Sequence, residues 1–74
     1  MNGRRLPDDD RNPMQPGDYK KSLGLWICKP PVGPAGHLGN HELTEHEDGT
    51  ITVSPSILTS EWHGWLRAGV WEEA

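Results

Sequence analysis

Seventy-four residues with a formal charge of −4, one cysteine, four tryptophans and no phenylalanine leave room for one small core. Chains of this size often lean on disulfides, metals or partners for stability, and the lone Cys28 excludes an internal disulfide, which fits a reducing compartment. No apolar run reaches the length of a membrane span or of a signal-peptide core, so the sequence reads as soluble, not secreted, and without a membrane partner.

The first stretch, through Ser22, contains three prolines, the run Asp8-Asp9-Asp10 and few sizeable apolar side chains. Such a composition offers little burial to set against the entropy of ordering it. Residues 1–18 are therefore expected to be a flexible arm, and 19–74 a small β domain. Charge divides the same way. In residues 1–22, Arg4, Arg5, Arg11, Lys20 and Lys21 outweigh Asp8, Asp9, Asp10 and Asp18; in 23–74, only Lys29 and Arg67 oppose Glu42, Glu45, Glu47, Asp48, Glu61, Glu72 and Glu73. An acidic ordered part repels phosphate, which argues against nucleic acid as a partner. The same surplus of acid also suits a mimic of nucleic acid.

Leu23, Leu25 and Ile27 alternate with Gly24, Trp26 and Cys28 in a run too short for a helix and closed by Lys29-Pro30-Pro31. This predicts a strand, apolar on both faces. A loop punctuated by Pro34, Gly33, Gly36 and Gly39 then leads to His41–Ser56, which reads as a hairpin. A two-residue Asp48-Gly49 turn would place Leu43 on the face opposite Ile51 and Val53. A three-residue Glu47-Asp48-Gly49 loop with a left-handed Gly49 pairs Glu45 with Ile51 and Leu43 with Val53, which gathers the apolar set on one side. That register also leaves a polar face of Glu42, Thr44, His46, Thr50, Thr52 and Ser54.

The link from Pro55 to Glu61 has room for one helical turn, with Thr59 or Ser60 as its cap. A second three-residue loop, Arg67-Ala68-Gly69, is expected next, because a two-residue turn would force Ala68 to positive φ. It pairs Leu66 with Val70 and Trp65 with Trp71, and sets Trp62, Leu66 and Val70 on the other face. The fold class is thus mainly β: a small antiparallel sheet of two hairpins plus an N-terminal strand.

Each tryptophan can bury about 150–250 Å², so most of that surface is needed in the core or against a partner. One small sheet does not cover both of its faces. Trp65, Trp71 and His63, with Arg67 at the rim, are the expected contacts for a protein partner. A metal reading starts from Cys28, His37 and His41, spaced C-x8-H-x3-H, with His46 or His63 as a fourth ligand. Thiolate and imidazole suit tetrahedral zinc, yet the paired cysteines of a zinc knuckle are missing. Cys28 as a nucleophile would need a thiolate-stabilising setting that the residue order does not supply, so the chain reads as non-enzymatic.

The order Trp26 and Cys28, then Asp48-Gly49 with Thr50-Ile51-Thr52-Val53 and Pro55-Ser56-Ile57, then Trp62-His63, Leu66 and Gly69, resembles small proteins encoded by bacteriophages and prophages. The resemblance covers about residues 19–71. More distantly, the chain is similar to a bacterial domain whose hairpin ends in Pro-Ser-Ile and whose later Cys-x-x-His pair looks zinc-binding. The position three before His63 is Ser60 here, so only His63 of that pair carries over. The resemblance implies a phage origin, with action in the host cytoplasm or the virion. The combined expectation is an interaction module that acts on a host protein or as a virion accessory or cement protein. A zinc-stabilised module is the alternative.

Overall fold

Nine glycines and seven prolines among seventy-four residues keep every run of regular backbone short. The computed structural model describes residues Met1–Ala74, and in it no strand exceeds five residues and no helix forms. The strands are β1 (Arg4–Arg5), β2 (Asp18–Ser22), β3 (Leu25–Cys28), β4 (Gly36–His37), β5 (Glu42–Glu45), β6 (Ile51–Ser54), β7 (Ile57–Leu58), β8 (His63–Arg67) and β9 (Val70–Glu73). They form three sheets, β1-β2-β3-β4, β5-β6 and β7-β8-β9. Every pairing is antiparallel except β1 with β2. The mainly β class expected from the sequence is therefore the fold.

The β5–β6 hairpin has the expected register, Leu43 opposite Val53 and Glu45 opposite Ile51. Its three-residue loop closes with the His46 amide donating to the Thr50 carbonyl at 2.8 Å, and Gly49 is left-handed at φ 89°. Asp48 accepts from the Thr50 amide at 3.0 Å and from its hydroxyl at 2.7 Å, a local bond that favours the turn over continued strand. Ile51 and Val53 are buried and Leu43 packs against them.

The β8–β9 hairpin corrects the expected register. Ala68-Gly69 forms a two-residue turn, so Arg67 faces Val70, Leu66 faces Trp71 and Trp65 faces Glu72. Ala68 takes φ 46° and Gly69 φ 77°. A left-handed alanine costs roughly 1–2 kcal/mol. Full burial of one indole contributes on the order of 4–6 kcal/mol before entropy, and only this register turns Trp71 inward beside Leu66. The turn is also held from outside: the Ala68 amide donates to Thr52 Oγ1 at 2.9 Å and the Gly69 amide to the Ile51 carbonyl at 3.0 Å.

The expected arm is a second correction. Its backbone runs along the rest of the chain: Arg4 and Arg5 pair in parallel with Asp18 and Tyr19, Gly3 donates to the Gly69 carbonyl at 2.7 Å, and Trp71 donates to the Met1 carbonyl at 2.8 Å. Leu6 is buried. Counting apolar side chains missed this because most of the ties are backbone hydrogen bonds and charged pairs. The expected 18/19 boundary falls inside β2. That strand forms a third hairpin with β3 around Leu23-Gly24, Ser22 opposite Leu25, again with positive φ at both turn residues, 49° and 79°. The predicted first strand is accordingly shorter by its first two residues.

The expected helical turn in the Pro55–Glu61 link is replaced by β7 and a tight turn. With no helix to cap, Thr59 closes that turn instead, its hydroxyl accepting from the Glu61 and Trp62 amides at 3.1 and 2.9 Å. One core joins the three sheets, with Tyr19, Cys28, Leu38, Ile51, Val53, Ile57, Trp62, Leu66 and Trp71 in a single cluster.

Candidate functional site

Successive side chains of a strand point to opposite faces, and residues directly across a ladder share a face. With Leu58 opposite His63, Trp65 opposite Glu72 and Arg67 opposite Val70, these six side chains form the outer face of β7-β8-β9. The inner face carries Ile57, Gly64, Leu66 and Trp71, all buried. Gly64 must be small: a Cβ there would overlap the Glu72 carbonyl and the Trp62 ring.

On the outer face Trp65 is half-buried between the two same-face residues of its own strand. The His63 ring lies 6.0 Å away with a 37° tilt, and the Arg67 guanidinium sits 4.8 Å over the indole. A cation over an indole face is attracted by the ring quadrupole. Arg67 in turn approaches Glu72 at 3.7 Å, and His63 Nε2 lies 3.0 Å from the Ser56 hydroxyl. The indole is thus flanked on both sides. Leu58, 73% exposed, and Val70, 38% exposed, add apolar area around it.

Three of the four expected contact residues, His63, Trp65 and Arg67, are therefore neighbours on one surface. Trp71 is not. It is 3% exposed, meets Trp62 edge-on at 5.4 Å and 81°, and its indole N–H donates to the Gly17 carbonyl at 2.9 Å. The aromatic pair expected between Trp65 and Trp71 is a core pair of Trp62 and Trp71 instead. Leu58, Val70 and Glu72 were missed as parts of the face. Leu58 lay in a segment read as a link, and the other two needed the two-residue turn.

Apart from His63, the residues of the zinc reading lie elsewhere. Cys28, His37 and His41 border one cavity of about 190 Å³, together with Leu38, Ile57 and Leu58. His63 belongs to the outer face, and His46 bonds Thr52 Oγ1 at 2.7 Å in the β5–β6 hairpin. No three His, Cys, Asp or Glu side chains converge as a metal-holding group. Burial pushes the Cys28 thiol up to about 12, which opposes the proton loss that a zinc ligand requires. His41 Nε2 lies 3.2 Å from the Ser56 carbonyl, so this nitrogen carries the proton and donates. Its Nδ1 is buried and without a hydrogen-bond partner. A buried polar atom in that state costs roughly 1–3 kcal/mol relative to a satisfied one.

Comparison of the chain with protein-family models, with curated proteins and with solved structures returns no match. Architecture alone gives its class: a small all-β domain of three short sheets around one core. Its surface features are an aromatic and cationic cluster on one sheet and a cavity beside that sheet's edge.

Proposed function

We propose that this protein is a non-enzymatic protein-interaction module of phage or prophage origin, which engages a host protein or a virion component through the outer face of β7-β8-β9. The carrying observation is Trp65, an indole on the surface, flanked by His63 and Arg67 and bordered by exposed Leu58 and Val70. Tryptophan and arginine are enriched among residues that dominate protein interfaces. A side chain already fixed by its neighbours loses less freedom on binding. The acidic balance of residues 23–74 favours a protein surface over phosphate as the counterpart. The phage origin draws on the motif resemblance and is independent of this face.

Tagged wild type and Trp65→Ala, each confirmed folded by its thermal transition, would be compared for recovery of partners from host lysate and from purified virions. A contact at the centre of an interface predicts roughly 30-fold or greater weakening for Trp65→Ala. Equal recovery of every partner by both proteins would remove this face as the site.

A further inference from the structure

We infer that the cavity between β4 and β7 is a second binding site, for a short extended polypeptide segment that runs along β7 and places one aliphatic side chain in the cavity. It shares with the proposed function the premise that the partner is a polypeptide and one residue, Leu58; the other residues are different.

The backbone pattern at the two bordering strands supports a strand-like occupant. The Thr59 amide donates to the Trp62 carbonyl at 2.8 Å, which makes this the hydrogen-bonded pair that closes β7 against β8. Hydrogen-bonded and non-hydrogen-bonded pairs alternate along an antiparallel ladder. The next pair, Leu58 with His63, is therefore of the second kind, and the amide and carbonyl of Leu58 point away from β8. No strand pairs with β7 on that side. The same count applies to β4. Leu38 donates to the Trp26 carbonyl at 2.9 Å, so the pair His37 with Ile27 is non-hydrogen-bonded and the His37 main chain also faces an unpaired side.

Other edges of the molecule are guarded in ways these are not. Met1 and Gly3 bond to Trp71 and Gly69 along β9, and β5 carries Glu42 and Glu45. From Ser54 to Ser60 there is no charged residue. Beyond Ser56, whose carbonyl accepts from His41, this edge is uncharged and has no strand beside it, and such an edge is a template for strand addition.

The cavity agrees in size and chemistry. At about 190 Å³ it falls below the roughly 300–1,000 Å³ of sites for drug-sized molecules and cofactors, which suits one side chain better. Pro30, Leu38, Ile57 and Leu58 give it apolar walls, and His41 borders it as well. Leu58 belongs to both the cavity wall and the outer face around Trp65, so one partner could cover the two without a gap.

The test is an amide-shift titration of the isotope-labelled full chain with the uncharged probe acetyl-Thr-Leu-Thr-amide. Expected are saturable shifts centred on His37, Leu38, His41, Leu58 and Thr59 with a dissociation constant of about 1 mM or tighter. Methylating the leucine nitrogen of the probe should weaken binding by about tenfold or more. Leu58→Pro removes the outward N–H of an edge strand together with the leucine wall of the cavity and should also lose the probe, while Trp65→Ala should bind it unchanged. That last variant separates failure here from failure of the Trp65 face. If Leu58→Pro does not fold, the methylated probe makes the same measurement. Absence of saturable shifts at about 10 mM probe, equal binding of the methylated probe, or shifts that follow protein concentration alone, as pairing of two copies would give, each overturns the inference.

Discussion

Cys28 and Trp65 show how little residue type says about role in a protein this small. Cys28 was a candidate ligand and nucleophile on chemical grounds, yet it is 2% exposed and burial raises its thiol from 9.0 to about 12. The neutral form is favoured in the folded chain, so the folded state holds this proton where the unfolded chain releases it. By linkage the stability from this group is complete below about pH 9 and is lost progressively as pH rises toward 12. Alkylation of Cys28 at pH 8 should therefore proceed only as fast as unfolding, and denaturant midpoints should fall between pH 9 and 12. Rapid labelling of the native protein would contradict this, as would a Cys28→Ala variant with the same alkaline limb as wild type. For the tryptophans, composition was enough to say that surface had to be buried. Which indole stays outside depended on one residue of register.

The two hairpins that the sequence suggested differ in how locally their turns are specified. In β5–β6 the Asp48 carboxylate caps Thr50 and Gly49 supplies the left-handed position, so turn chemistry and side-chain alternation agree. In β8–β9 they conflict. Turn chemistry disfavours Ala68 at φ 46°, and the fold accepts this because Trp71 gains the core and Thr52 and Ile51 hold the turn. Relieving that conflict should stabilise the protein. Ala68→Gly removes roughly 1–2 kcal/mol of left-handed strain and adds roughly 0.5–1 kcal/mol of unfolded-state entropy. The expected net gain is about 0.5–1 kcal/mol, measured as a higher urea midpoint with unchanged slope. A lower midpoint would mean that Ala68 is not strained in solution.

At the scale of the whole molecule, Arg4 and Asp18 join the first residues to β2. Arg4 donates from Nε and Nη2 to the two carboxylate oxygens at 3.1 and 2.9 Å, and the Gln15 amide donates to the same group at 2.8 Å. Burial of Asp18 raises its pKa, but the Arg4 bonds and the Gln15 amide outweigh it, and the carboxyl lies below its ordinary value. A carboxylate so depressed stabilises the fold above the ordinary value and ceases to do so as pH falls through the folded one. Asp18→Asn should cost about 1–3 kcal/mol at pH 7, with the gap to wild type closing on the acid side of about pH 4. Urea midpoints at pH 7 and pH 3 check this. A gap of the same size at both would show that packing, not charge, is what the variant lost.

The sequence by itself determined what depends on near neighbours. The β class followed from short alternating runs between glycines and prolines, and the β5–β6 register followed from Leu43, Ile51 and Val53 needing one face. Tertiary structure decided what depends on residues far apart in the chain. Trp71 is inward because its N–H reaches Gly17 and its ring meets Trp62, and residues 1–6 are placed by bonds to Gly17, Tyr19, Gly69 and Trp71. Such contacts leave no periodic trace in composition or spacing, because their energy arises only once distant backbone edges meet. The face around Trp65 has the same origin: its residue types stand within five positions of β8, and the long-range burial of Trp71 left that side of the sheet outward.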